Sequence, residues 1–243
     1  MNFKEKLLKF NEKLLDLIYP DKIKCILCGK DKPNDDFICE KCLNDKIINC
    51  SNRCVKCDTS IKEGNIICDN CKSIKKEFEK CVCPLIYKDN VKNAVLKFKD
   101  DNAKYLAKPF AKLIFDRLID ENIDFDIIVP VPSHKKTVSK RGYNPALLLA
   151  NEISVLSNKP VEEVLIKNVL SQNQKELTFS QRQTNLENCM KLTGKEIIKN
   201  KNILIVDDII TTCATINACA SLLVKTNKIY GCAVARTQLY EID

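Results

Sequence analysis

The chain has 243 residues, 40 Lys+Arg against 32 Asp+Glu for a formal net charge of +8, 45% hydrophobic residues, 15 cysteines and no tryptophan. The length predicts one moderate domain plus a smaller module, and the apolar content excludes a globally disordered chain. No run of about 18 apolar residues exists, which excludes a bilayer-spanning helix.

Residues 1–20 read as an amphipathic helix, with Phe3, Leu7, Phe10, Leu14 and Leu17 at helical spacing and Leu8, Leu15 and Ile18 widening the stripe. The segment is too charged for a signal peptide. Its polar face alternates lysines with acids, so packing on the protein's own core is expected over binding at a membrane surface. Fifteen cysteines without a secretory signal predict metal ligands or buried thiols in a reducing cytoplasm.

A duplicated module is expected over residues 21–80. Cys25, Cys28, Cys39 and Cys42 form one CxxC/CxxC set, and Cys54, Cys57, Cys68 and Cys71 form a second, each ligand 29 residues after its counterpart. A CxxC turn converges two sulfurs on one ion, and two turns complete the closed tetrahedron of a structural zinc. Redox CxxC pairs or plain buried thiols would not keep four evenly repeated copies. Sequential ribbons, one zinc per repeat, are favoured over a cross-braced pairing of the same ligands. Two such zinc sites bring the formal charge to about +4, and the basic residues form no tail that advertises nucleic acid. Zinc ribbons can bind DNA, RNA or protein; metal as the source of folding energy for a small module is the favoured role. Cys50, Cys81, Cys83, Cys189, Cys219 and Cys232 read as small apolar residues without assigned chemistry.

A second domain is expected over residues 81–243. CVCPLIY is strand-like; VKNAVLKFK and NAKYLAKPFAKLIFDRLIDE are helical in period; FDIIVPVP is a buried strand; NPALLLANEISVLS is a helix capped by Asn144 with Pro145 at its first position. SHKKTVSKRGY is then a strand-to-helix loop. VLIKNV, NILIVDD and KIYGCAVAR supply further strands, with a long polar segment at residues 171–188 and a helix in TINACASLLVK. Alternating strands and helices predict an α/β fold with a parallel sheet flanked by helices, whose ligands collect at the carboxyl ends of strands.

Two polar clusters fall at such ends, after Pro130 and after Val206. The second leads into a helix start, whose free N–H groups and dipole favour a phosphate. Two carboxylates beside a phosphate would repel it unless they face ribose hydroxyls or magnesium, which together suggest a phosphorylated sugar.

ILIVDDIITTCAT resembles the phosphoribosyl diphosphate (PRPP) motif of type I phosphoribosyltransferases. The wider chain is similar to the ComF family, a double zinc ribbon before a phosphoribosyltransferase domain, on LIYPDKIKCILC, YKDNVKNAVLKFK, IVPVPSHKK, KRGYNPA and the Gln174, Leu177, Arg182, Asn185 series. The resemblance covers nearly the whole chain and implies the competence-associated type linked to uptake of transforming DNA. It implies that Asp207 and Asp208 hold the ribose hydroxyls, that Thr211, Thr212, Cys213, Ala214 and Thr215 line the 5′-phosphate loop, and that Ser133, His134 and Lys135 approach the diphosphate. It further implies that Arg182, with Lys140 and Arg141, neutralises the leaving diphosphate, with magnesium bridging it to the ribose and a loop over residues 171–185 excluding water.

Plainer readings stay beside these. Asp207 is also a possible strand-end cap; His134 a loop residue; Lys135, Lys136, Lys140 and Arg141 solvated loop charges; Arg182 and Asn185 braces of a helix. Cys213 replaces the motif glycine, so positive φ there would carry strain of about 1–3 kcal/mol, whereas negative φ would spare the amide cradle. Pro145 stands where the family has glutamine. Three functions follow: an active phosphoribosyltransferase; a binding module for nucleotide or single-stranded DNA, with Tyr143 as the local stacking candidate; and an adaptor whose ribbons dock an uptake helicase.

Overall fold

The computed structural model describes residues 24–33, 37–43, 52–167, 189–193, 198–223 and 226–238. The expected N-terminal helix and the 171–188 segment, with Arg182, lie outside the described residues. After two cysteine-rich turns the chain forms β1 (Lys80–Val82), β2 (Leu85–Ile86), helix α1 (Asp89–Asp100), α2 (Ala107–Asp120), β3 (Ile127–Pro130), α3 (Lys135–Arg141), α4 (Pro145–Ser157), β4 (Leu165–Lys167), β5 (Met190–Leu192), β6 (Ile203–Ile210), α5 (Ala214–Leu222) and β7 (Ile229–Arg236).

The main sheet is parallel throughout: β3 pairs with β6, β6 with β7, and both β1 and β2 with the far edge of β7. CVCPLIY is split because Cys83 leaves the ladder, its N–H donating to the Asp58 carboxylate at 2.7 Å and its carbonyl accepting from Arg53 at 2.9 Å. Pro84 then offers no N–H to resume pairing. The expected long helix after residue 101 begins instead with a 3-10 turn at Lys104–Leu106, behind a left-handed Asn102 (φ 58°).

VLIKNV does not join the main sheet. β4 pairs antiparallel with β5 in a separate two-stranded ribbon, and its burial alternates around an exposed Ile166, the pattern of a strand with one wet face. The segment expected as a loop after β3 contains α3, a two-turn helix. His134 caps its start by accepting from the Lys136 amide at 3.1 Å, and Gly142 (φ 87°) ends it in the left-handed region.

Both sheet faces are covered. On one, Phe98 of α1, Phe110 and Ile114 of α2, and Leu149 and Ile153 of α4 pack against Leu204, Val206 and Val234. On the other, Ile216 and Cys219 of α5 pack with Cys54, Cys57, Cys68 and Phe78 against Ile203, Ile205 and Ala233. Each fully buried Leu, Ile or Phe contributes about 1.5–3 kcal/mol. The second cysteine repeat is therefore part of the sheet's own covering layer, while Cys25, Cys39 and Cys42 of the first belong to the opposite cluster.

Candidate functional site: two tetracysteine centres and a paired-acid loop

The eight CxxC sulfurs assemble as two groups, Cys25/Cys28/Cys39/Cys42 and Cys54/Cys57/Cys68/Cys71, with all ligand atoms of a group within 4.8 Å of one another. This is the sequential arrangement. Cys28 and Cys39 sulfurs lie 3.8 Å apart and those of Cys57 and Cys68 3.6 Å, spacings that suit bonds of about 2.3 Å to a shared tetrahedral zinc. Burial raises the Cys28 thiol, but the amides of Asp31 and Lys30 and neighbouring thiols bring it down to about 7. Cys57 is pushed up by Cys213 but pulled down by Cys54 and Cys71, to about 6.

The repeat is also a backbone repeat. Gly29 (φ 66°) and Asp58 (φ 59°) occupy equivalent left-handed positions after their knuckles, each donating its amide to the first cysteine's carbonyl at 2.8 Å. Asp58 puts its side chain to a second use. Its buried carboxylate accepts from Arg53 at 2.9 Å and the Cys83 amide, with Arg117 of α2 at 3.5 Å. Burial raises its pKa against these partners.

At the carboxyl end of the sheet, β3 and β6 are adjacent, Pro130 opposite Val206, and the Val131 amide donates to the Val206 carbonyl at 2.9 Å. This places the loop carrying Ser133, His134 and Lys135 beside the one carrying Asp207, Asp208 and Thr211–Thr215. Asn144 binds the first loop together: its side-chain oxygen accepts from Ser133 Oγ (3.0 Å) and the Ala146 amide (3.2 Å), and its nitrogen donates to the Val131 carbonyl (3.0 Å).

The two aspartates are chemically distinct. Asp208 pairs with Lys99 Nζ of α1 at 3.0 Å. Burial alone would lower the Lys99 pKa, but the charges of Asp208 and Asp207 outweigh it and hold it above the ordinary lysine value. Asp207 accepts from the Asp208 amide at 2.8 Å, and burial together with the Asp208 charge raises its carboxyl to about 7. Neutralising one acid by an ion pair and holding a proton on the other relieves the repulsion expected of adjacent carboxylates.

Thr211 is exposed, Thr212, Ala214 and Thr215 are half-buried, and Cys213 between them is buried. Cys213 has φ 61°, so the loop keeps the left-handed turn with a side chain present. That side chain lies within the layer under α5, where its sulfur accepts from Arg236 Nη1 at 3.1 Å and neighbours Cys57 and Cys81. The αL residue puts its carbonyl at the start of α5, accepting from the Asn217 amide at 2.8 Å.

Lys135 and Lys140 are exposed on α3, and Arg141 pairs with Asp100 of α1 at 2.9 Å. Tyr143 is not an available stacking platform: it is buried, its hydroxyl donates to the Phe98 carbonyl, and Lys104 Nζ sits 5.0 Å from its ring centre. Sequence reasoning missed Lys99, Asp58 and Arg236. The sign for Lys99 was its place beside Phe98, at the margin of the buried stripe of α1; Asp58 and Arg236 carry no local signal of burial.

Residues 14–72 match the double zinc ribbon domain and residues 105–235 the phosphoribosyl transferase domain. The chain is 27% identical over 179 residues to Competence protein F of Haemophilus influenzae, covering 71% of this chain and 78% of that protein. It is 24% identical over 219 residues to Competence protein ComFC of Bacillus subtilis, covering 88% and 83% respectively. A purine phosphoribosyltransferase from Pyrococcus horikoshii superposes with a TM-score of 0.34 and 15% identity over 57% of this chain and 92% of that one. The transferase match spans more than half of the sequence and follows a ribbon whose eight thiols converge as two centres: the chain belongs to the phosphoribosyltransferase family, in its ComF-type form with an N-terminal double zinc ribbon.

Proposed function

We propose that the chain binds PRPP with magnesium between the loops after β3 and β6, and that it serves uptake of transforming DNA as a cytoplasmic phosphoribosyltransferase. The observation that carries this reading is the adjacency of a paired-acid strand end and a hydroxyl-rich left-handed turn, at a helix start, to the Ser133–Lys135 loop. Asp207 and Asp208 accept from the ribose 2′ and 3′ hydroxyls. The amides at the start of α5 and the hydroxyls of Thr211, Thr212 and Thr215 donate to the 5′-phosphate. Ser133, His134 and Lys135 meet the diphosphate, and Lys140, Arg141 and Arg182 add positive charge around it.

The reaction is displacement at the anomeric carbon, and the protein's part is to position the ribose and stabilise a departing diphosphate, without a protein nucleophile. Magnesium, when bound with PRPP, supplies further neutralisation of that leaving group. The names of the two relatives connect the fold with competence. Calorimetric titration with PRPP and magnesium tests the reading: binding by wild type, weakened at least tenfold in Asp207→Ala and Asp208→Ala, with diphosphate released once an acceptor is supplied. Absence of binding by wild type would sink it.

A second reading, a scaffold without turnover whose ribbons hold single-stranded DNA or an uptake helicase, is favoured by the Lys99 ion pair that already occupies Asp208. It predicts salt-dependent DNA or helicase affinity and no diphosphate release with any acceptor.

A further inference from the structure

Arg236 ends β7 with 3% of its surface exposed. Among the described residues no carboxylate forms an ion pair with it: Asp58 is taken by Arg53 and Arg117, Glu121 by Lys80 and Arg117, and Asp208 by Lys99. Its Nη1 donates to Cys213 Sγ, and its buried Nε has no hydrogen-bond partner among the described residues. A buried guanidinium in this condition is costly unless a negative charge lies close by.

The groups around it are sulfurs. Cys213 Sγ lies 3.1 Å from its Nη1, Cys213 shares one buried cluster with Cys57 and Cys83, and Cys57 is a ligand of the second tetracysteine centre. Four thiolates around one dication carry a net −2, and three of the four, Cys54, Cys57 and Cys68, are buried with Cys71 partly exposed, so most of this charge lies inside the protein. We propose that Arg236 is the buried countercharge of the second tetracysteine zinc centre and that, by donating to Cys213, it ties the left-handed turn before α5 to that metal.

The surrounding contacts agree with this assignment. The Cys81 amide donates to the Lys56 carbonyl inside the second knuckle at 2.8 Å, and the Glu77 amide donates to Asn217 Oδ1 of α5 at 2.8 Å. Cys213, Ile216, Cys54, Cys57 and Cys68 share one buried cluster. The first centre differs in its neighbouring charge: the Asp31 carboxylate lies 3.9 and 3.8 Å from the Cys28 and Cys39 sulfurs. An effect of Arg236 is therefore confined to one of the two zinc ions. The metal half of the proposal stands without the PRPP reading, and the consequence for ligand binding rests on it.

The test is zinc release from the full-length, zinc-loaded chain to a chromogenic chelator. Arg236→Met gives up one of two zinc ions at least tenfold faster than wild type and holds the other normally, while Arg236→Lys stays within about threefold because it keeps the charge. Wild-type release of both ions from Arg236→Met overturns the countercharge. Should Arg236→Met fail to fold, Cys71→Ala addresses the same link from the metal side. Backbone exchange at the Asn217 amide, which reports the Cys213 turn, then rises at least tenfold while that of Val131 is unchanged; an unchanged Asn217 overturns the tie. PRPP affinity falls at least tenfold in Arg236→Met if wild type binds PRPP, and undiminished affinity in a variant that has lost the second zinc also overturns the tie. A wild type that binds no PRPP defeats the functional reading alone, and the zinc release rates still decide the countercharge.

Discussion

Asp207 shows how position alone changes a residue's chemistry. Burial first, and the Asp208 charge second, raise its carboxyl from 3.8 to about 7. A raised acid lowers stability as pH increases: the unfolded chain ionises near pH 4 while the folded chain holds its proton until about pH 7, so the cost accumulates across that window and then levels off. Asp207→Asn is therefore expected to stabilise the unliganded chain by about 1–3 kcal/mol at pH 8, with the gain vanishing toward pH 4, as read from urea unfolding at several pH values. On the proposed reading PRPP binding reverses the sign, because an ionised Asp207 would be the better acceptor for ribose hydroxyls; PRPP affinity is then expected to rise from pH 6 to pH 8 with proton release. Cys213 supplies a second test. Its φ of 61° is the left-handed value glycine would take, so the β-branched Cys213→Val should cost about 2 kcal/mol or more in denaturant unfolding.

At the scale of elements, β7 is tightly approached at Gly231 by its neighbouring strand and by its covering helix. A Cβ on Gly231 would lie 2.6 Å from Cys81 Sγ of β1 and 2.9 Å from Ile216 Cγ2, so β7, β1 and α5 meet there without room for a methyl group. Gly231→Ala is expected to destabilise by about 2–3 kcal/mol, measured by denaturant unfolding. The carboxyl end of α1 has a different task. Lys99 reaches Asp208, Asp100 reaches Arg141, and the carbonyls of Phe98 and Lys99 receive the Tyr143 hydroxyl. One helix end thereby joins the strand of the paired acids to the end of α3 and the chain that follows it, and the two loops of the candidate site share a support.

Across the whole molecule, the tetracysteine repeats are built into the covering of the sheet. Asp58 forms a polar link between the second repeat and the transferase fold, touching Arg53, Arg117 and the Cys83 amide from an almost fully buried position. Removing one partner of a buried charge cluster leaves the others uncompensated, so Asp58→Ala is expected to cost about 3–5 kcal/mol. The loss should appear in the sheet, as faster hydrogen exchange of β1 and β7 amides, as well as in the repeat. An Asp58→Ala protein whose β1 and β7 exchange at wild-type rates would show that the repeat is merely tethered.

The spacing of eight cysteines determined two metal centres without further information, because a CxxC turn brings its sulfurs together through local backbone geometry alone. The cap at Asn144, the buried strand β3 and the strand of paired acids were equally legible, since each rests on a short-range pattern of apolar period, cap or turn. Local pattern could not assign VLIKNV to a ribbon outside the main sheet, because strand period does not name the pairing partner. Nor could it predict that Cys213 would turn away from its loop to meet Arg236, that Lys99 would neutralise Asp208, or that Tyr143 would be buried. Each of these depends on residues more than twenty positions apart, whose charges and desolvation costs act on one another only once the sheet, its helices and the second cysteine repeat are packed together.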